Sequence, residues 1–464
     1  MGNKYKTLAK DIVIFAIGNI GSKMILFFLV PLYTNTMTKD EYGIADLILT
    51  VSELVLPFVS VVIYDALLRF ALSKNESKED TLLVAYIVMA VGSALTLAIT
   101  PIFIFYRSVS PWKWFLCIHI ILSGFHLINM NYLKVTNNNV KYAIISLVQT
   151  LFMATLNIVL LVVYHMGVLG YLVANILSVL IAIILTLILG KIPSSLKKAR
   201  FRKKLFSEMV RYSAPLIFNN ISWWVVHSSD KMMVEGMLGE DSLGIYAVSA
   251  KIPSFINVII NVFSQAWGIS SVKEFENTND RKFYSSVFNL YMFLCFGVGI
   301  GIISVTKLFM KMYVSEAFYS AWKYVPTLLA AAAFAAVAYY YGSLYGAVKK
   351  SGRNMVTTLI AAITNVIVNV ICIPLWGIYG AAIGTLVSYI VMSTMRMIDI
   401  NRLLKIKIDY VRYILSCILI LIQVVFVTLD RYGYYVSAAA VVLFILTNAK
   451  LVKESLAIVK NNRK

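Results

Sequence analysis

Asn220, Trp223, Trp224, His227 and Lys231 fall at i, i+3, i+4, i+7 and i+11, which on a helix places them on one stripe. The chemistry such a stripe can do is binding. Indole faces stack on rings, amide and imidazole groups exchange hydrogen bonds, and an ammonium attracts an anion. Asp230, next to Lys231, adds an acid that could balance charge or exchange partners.

Three other stretches carry comparable groups. Asn19 and Lys23 stand four apart. Asp46, Glu53 and Tyr64 fall within about 20° of one another on a continuous helix, with Asp65 one step round. Lys251, Ser254, Asn261 and Gln265 share a similar sector. Weaker signals are His119 and His126, seven apart, which could relay protons but more often pack. His165 sits in a short turn. Asn157, Asn365 and Asn369 read as bonds across helices, and the tyrosines at 339–341 read as packing or interfacial more readily than as sugar contacts.

The elements that position these groups are membrane helices. Of 464 residues, 60% are hydrophobic and 14% charged, with a mean hydropathy of +0.80, outside the range of soluble domains. Apolar runs long enough to cross a hydrocarbon core, roughly 20 residues for about 30 Å, recur fourteen times. They cover approximately 12–34, 44–68, 81–106, 112–133, 142–164, 168–190 and 212–236, then 243–270, 285–306, 324–348, 355–375, 378–399, 410–429 and 433–451. The first lacks a small-x-small cleavage site and is expected to remain as a span. Strands of an outer-membrane barrel would alternate rather than run apolar throughout, so a barrel is excluded.

The net charge of +20 needs no nucleic acid. Lys and Arg crowd the N-terminus, the even-numbered breaks and the C-terminus, which predicts that both termini are cytoplasmic. Lys23, Lys231 and Lys251 are the cations expected inside spans. Cys117, Cys295, Cys372 and Cys417 fall in apolar spans without paired spacing and read as packing. Asn75 heads a sequon in an expected cytoplasmic loop, where glycosylation is not expected. No phosphate-binding loop and no metal-ligand spacing occurs, and the outer breaks are short. The chain is therefore not expected to be an enzyme, and transport is the better class.

The break "GKIPSSLKKARFRKKLFSEMVR" from Gly190, with eight Lys/Arg, divides the chain. The expected organisation is an N-terminal lobe of helices 1–6 (1–190), a basic cytoplasmic linker (191–211), a C-terminal lobe of helices 7–12 (212–400), and helices 13–14 with a cytoplasmic tail (401–464). An internal repeat supports it. "TKDEYGIADLI" from Thr38 aligns with "GEDSLGIYAVS" from Gly239, pairing Asp40 with Asp241, Gly43 with Gly244 and Ile44 with Ile245. "GVLGYLVANILSVL" from Gly167 aligns with "GIYGAAIGTLVSYI" from Gly377. Two matches in one order and at nearly one spacing predict a duplicated six-helix unit. Spans one, two, seven and eight are then equivalent hairpins, all bearing polar stripes, as expected if they face a cleft. Ionisable groups in a bilayer by default face a bundle interior or a watery cavity. The competing reading is polar glue between helices, with Lys231 snorkelling to an interface.

The stretch "DKMMVEGMLGEDSLGIYAVSAKI" from Asp230, with "YGIADLILT" from Tyr42, "ALLRFAL" from Ala66, "RYSAPLIFNNIS" from Arg211 and "WGIYGAAIGTLVS" from Trp376, resembles bacterial polysaccharide-biosynthesis flippases. These are the Wzx-type, oligosaccharidyl-lipid branch of the multidrug/oligosaccharidyl-lipid/polysaccharide exporter superfamily, serving O-antigen, capsule or exopolysaccharide. The resemblance spans essentially the whole chain. It implies an all-α polytopic membrane protein with two pseudo-symmetric six-helix lobes around a central cavity, plus two extra C-terminal helices. It implies translocation of undecaprenyl-pyrophosphate-linked sugar repeat units from the cytoplasmic to the outer leaflet of the inner membrane by alternating access. Expected partners are the lipid-linked oligosaccharide, membrane lipids, and a polysaccharide polymerase with its chain-length machinery, around a monomer that binds no nucleic acid and no metal. No cofactor is expected, with a proton or sodium gradient as the candidate driving force.

On that resemblance Lys23, Arg69, Lys231 and Lys251 are candidates for the pyrophosphate. Asn220, Trp223, Trp224, Asn261 and Gln265 are candidates for sugar, and Asp46, Glu53, Asp65, His227 and Asp230 for coupling or gating. Members of the branch often place arginines in the cavity where this chain offers lysines. Three alternatives remain open: a cation-coupled multidrug exporter, which would want a more anionic cavity; the lipid II flippase of the same superfamily; and a membrane-embedded sugar polymerase or ligase, which would want a larger outer domain.

Overall fold

The computed structural model describes residues 21, 24–73, 76–277, 281–348 and 350–461, with side chains except at 265–266, 268–270, 272–277, 351, 450 and 452–461. Lys23 and the side chain of Gln265 lie outside the described residues, as do Asn19 and Asn75. Every described element is a helix. Ten helices are long and apolar enough to cross a membrane, or eleven if one bent pair counts as a span. Shorter or more polar helices fill the remaining expected positions. The protein is an all-α, multi-pass membrane protein.

The chain forms two compact units, Met1–Trp224 and Val225–Lys464. The first holds α1 (Met24–Thr36), α2 (Lys39–Ser60), α3 (Ile63–Ala71), α4 (Lys78–Ile99), α5 (Lys113–Val135), α6 (Asn139–Asn157), α7 (Gly167–Leu189), α8 (Ile192–Lys198) and the start of α9 (Lys203–Leu238). α2 opens with a capping box, in which the Thr38 side chain accepts from the Glu41 N–H and Glu41 reaches back to the Thr38 N–H. Ile63 and Leu67 of α3, Leu82 of α4, Ile128 and Tyr132 of α5, Ile192 of α8, and Leu205 and Met209 of α9 share one buried cluster. The basic stretch 191–211 thus packs into the first unit through Ile192, Leu205 and Met209. Asp80 accepts from the Arg200 N–H at 2.8 Å, and Arg202 pairs with Glu76 at 2.8 Å.

The second expected span, 44–68, is two helices. Val61 and Val62 between them adopt positive φ (51° and 53°), unusual for β-branched residues. Pro57 inside α2 removes a backbone donor just before the break, and the Ser60 hydroxyl accepts from the Val62 N–H at 3.2 Å. α4 crosses here with Gly92, where a Cβ would lie 1.9 Å from the Val59 carbonyl oxygen. The eighth span is broken too, between α10 (Glu240–Ser249) and α11 (Ser254–Asn277). The two axes differ by 53°, and Pro253 ends the turn between them. Both breaks correct the registers expected from continuous helices. Tyr64 and Asp65 sit on a different helix from Asp46 and Glu53, and Lys251 sits in the turn between α10 and α11.

The second unit continues with α12 (Arg281–Tyr313), α13 (Val325–Ala347), α14 (Ser351–Trp376), α15 (Ile378–Leu404), α16 (Tyr410–Thr428) and α17 (Gly433–Asn461). α13 is its core helix, buried along nearly its whole length. Its run of small residues, Ala330–Ala333 and Ala335–Ala336, lets neighbouring backbones come close. α16 and α17 dock on α12 through Gln423, whose amide donates to the Ile300 carbonyl and to the Ser304 and Ser437 hydroxyls at 3.0–3.1 Å.

The repeated turns share one backbone feature. Gly167 and Gly377 both have positive φ (49° and 60°), where glycine carries no penalty. Three residues on, Gly170 and Gly380 each meet the preceding helix closely, with a Cβ at Gly380 falling 2.2 Å from the Cys372 backbone.

Candidate functional site

Within the second unit, α9, α10, α11, α13 and α15 border a partly open cavity of about 90 Å³ lined by His227, Asp230, Lys231, Tyr246, Asn257, Thr385 and Tyr389, among others. The Ala331, Ala332 and Ala335 face of α13 forms its apolar wall.

Asp230 is its acidic centre, 2% exposed. Its carboxylate accepts from the Tyr246 hydroxyl of α10, from the Thr385 hydroxyl of α15 at 2.9 Å, and from the Lys231 backbone N–H at 3.0 Å. Two hydroxyls and a backbone N–H thus ligate the carboxylate, with the Lys231 ammonium acting on it through its charge. A turn earlier, His227 lies 2.7 Å by Nδ1 from the Tyr389 hydroxyl and 3.1 Å by Nε2 from the Tyr339 hydroxyl. His227 itself is exposed, and Lys231 half-buried.

A polar chain lies on the other side of α9. The Ser229 hydroxyl donates to Asn365 Oδ1 at 3.1 Å, and Asn369 donates to the same oxygen at 3.1 Å. Both asparagines are fully buried. Asn369 Oδ1 and Asn365 Nδ2 have no hydrogen-bond partner among the described residues. Gly384 of α15 leaves the room, since a Cβ there would lie 1.9 Å from Asn369 Oδ1.

The structure therefore brings together His227, Asp230 and Lys231 and adds Tyr246, Thr385, Tyr389 and Tyr339, which the sequence reading did not single out as a set. Thr385 and Tyr389, four apart on one helix, were the available signal. Asn365 bonds across helices as expected, through Ser229, whereas Asn369 bonds to Asn365 within α14. Asn157 does not, because its amide turns back to the Met153 carbonyl of its own helix at 2.8 Å. Tyr340 and Tyr341 are packing residues, fully buried, with the Tyr340 ring stacked 5.0 Å from that of Trp267.

Of the second unit's other described candidates, neither Lys251 nor Asn261 lines this cavity. The Asn220 amide donates to the Leu216 carbonyl of its own helix at 3.0 Å, and Trp223 is half-buried. Trp224 donates its indole N–H to the Thr50 carbonyl at 3.0 Å. Lys251 is half-buried in the α10–α11 turn, and Asn261 is exposed on α11. In the first unit Asp46 is buried, Glu53 and Arg69 exposed, and Asp65 half-buried in the field of Lys134. His119 lies 2.8 Å by Nδ1 from the Ser52 hydroxyl.

One intramembrane cation escaped the sequence reading. Arg396 of α15 is fully buried and donates to the Thr357 and Thr358 hydroxyls at 3.0 and 2.8 Å and to the Ala338 and Asn354 carbonyls at 2.8 and 3.4 Å. It braces α13, α14 and α15, and Gly342 makes room for it. Among the described residues no group of three or more His, Cys, Asp or Glu could hold a metal.

Residues 8–267 match the model of a family described as polysaccharide biosynthesis protein. No curated protein matches the chain. Among solved structures it is similar to the lipid II flippase MurJ in an inward closed conformation, with a TM-score of 0.69 at 14% identity over 96% of this chain and 100% of that one. It is also similar to a MATE transporter in complex with MaL6, with a TM-score of 0.61 at 14% identity over 85% and 97%. A third likeness is a MOP superfamily transporter from Pyrococcus furiosus, described as having a binding pocket of reverse polarity, with a TM-score of 0.60 at 12% identity over 85% and 96%. At these identities the likeness establishes the fold.

Proposed function

The chain belongs to the polysaccharide biosynthesis protein family, and from that premise we propose that it is a flippase. It carries undecaprenyl-pyrophosphate-linked oligosaccharide repeat units from the cytoplasmic to the outer leaflet of the bacterial inner membrane by alternating access. The observation that carries the reading is the family match over more than half the chain, on a fold shared along nearly its whole length with a lipid flippase.

The chemistry of the cargo fixes what the residues must do. A pyrophosphate crossing a membrane needs cations, a role we give to Lys231 and Lys251, with Arg69 and Lys23 from the first half of the chain. Sugars need stacking faces and exchangeable hydrogen bonds, and Trp223, Trp224, Asn220, Asn261 and Gln265 are the candidates. The Asn220 and Trp224 donors are already engaged, so those two contribute chiefly a surface. Asp230 couples transport to a proton or sodium gradient, since ligation by Tyr246 and Thr385 ties its charge to the placement of α10 and α15. Asp46, Glu53, Asp65 and His227 are secondary candidates for gating.

Reconstitution tests this. Proteoliposomes containing the full chain and a fluorescent undecaprenyl-pyrophosphate oligosaccharide are expected to show protein-dependent loss of label from the starting leaflet. Parallel arms with lipid II and with a cationic dye should move more slowly. Faster movement of lipid II or of the dye would replace the proposed cargo.

A further inference from the structure

At one end of the second unit, α14 and α15 leave a cleft of about 440 Å³ facing outward. Its walls are apolar: Val356 and Ile398 are about half exposed, on helices long and apolar enough to cross a membrane. Its rim carries two guanidinium groups, Arg353 and Arg402, against one carboxylate, Asp399. Asp399 is engaged twice, by Arg353 at 2.5 Å and by the Tyr345 hydroxyl at 2.9 Å. That arrangement orients Arg353 rather than silencing it, since a guanidinium has five N–H donors and this contact occupies one. Arg402, three residues beyond Asp399 on α15, is exposed.

Cleft and rim lie near the start of α14 at Ser351 and the end of α15 at Leu404, and the ends of membrane-spanning helices are where headgroups meet acyl chains. We propose that this cleft is a binding site for an anionic phospholipid, whose phosphate engages Arg353 and Arg402 while its acyl chain lies along Val356 and Ile398. The occupant follows from charge complementarity above an apolar wall. Paired arginines bind phosphate bidentately, a free phosphate would have no use for the wall, and a zwitterionic lipid would gain little from the surplus positive charge. The site stands independently of the flippase reading, since no cargo contact is involved.

The test is native mass spectrometry of the full chain in detergent, titrated with phosphatidylglycerol or phosphatidylcholine of identical acyl chains, with glycerol phosphate as a soluble competitor. Phosphatidylglycerol is expected to bind more tightly, to resist glycerol phosphate, and to weaken roughly fivefold with Arg402→Gln. Ile398→Trp should weaken it comparably by filling the cleft. Arg402 and Ile398 are both exposed, so unchanged melting temperatures of the lipid-free variants show that folding is intact. Equal retention of the two lipids, displacement by glycerol phosphate, or full binding by both variants would overturn the proposal.

Discussion

Thr385 donates a hydrogen bond to the Asp230 carboxylate at 2.9 Å, joining residues 155 apart in sequence and two helices, α9 and α15. Tyr246 closes the arrangement from α10. A single acidic group thus holds three helices of one unit, and a change in its charge alters the bonds it can accept. Protonation removes acceptor capacity and adds a donor.

Replacing that charge while keeping its shape should separate coupling from folding. Asp230→Asn retains an acceptor for Tyr246 and Thr385, so the variant should express and melt near the parent. Its transport should no longer respond to an imposed proton or sodium gradient. Asp230→Ala orphans both hydroxyls and should cost about 1–3 kcal/mol of stability. Melting temperatures in detergent and gradient-driven transport in proteoliposomes read the two effects, and a gradient response surviving in Asp230→Asn would remove Asp230 from coupling.

Two glycines of α15 should respond differently to a methyl group. Gly384→Ala would press against the Asn369 side chain, at about 1–3 kcal/mol, and the double variant with Asn369→Ala should recover much of the loss. Gly380→Ala would press against the backbone of Cys372, so substituting the Cys372 side chain should recover none of it. Thermal unfolding of the two single and two double variants checks this, and equal rescue in both pairs would contradict the packing described.

If the lysines receive pyrophosphate, Lys231→Ala and Lys251→Ala should each slow translocation of the glycan lipid roughly tenfold, the size of losing one charge-assisted hydrogen bond. Lys231→Arg should retain most activity because the charge persists. Initial rates at several cargo concentrations make the comparison. Parent-like rates in both alanine variants would discard these positions.

Much of this molecule is legible in its sequence, and the gaps have physical causes. The apolar runs mark the helices because a bilayer leaves backbone groups no partner outside the helix, and the glycine-centred repeats mark turns whose backbone needs glycine. The pairing of Asp230 with charge next door is visible, but its ligands on other helices are not, since Tyr246 and Thr385 look like ordinary residues of apolar spans. The breaks after Ser60 and after Ser249 hide within apolar runs whose only cue is a proline. Arg396 escaped because hydropathy places it close to a span's end, whereas in the folded protein it is enclosed by threonines and carbonyls.

The central claim is movement of a lipid-linked glycan across the membrane, and the most direct measurement is the leaflet that glycan occupies in cells lacking the protein. Undecaprenyl-pyrophosphate glycan is expected to be trapped in the inner leaflet, released by the parent protein and trapped again with Lys231→Ala or Lys251→Ala. Normal outward glycan together with altered resistance to cationic drugs would contradict it.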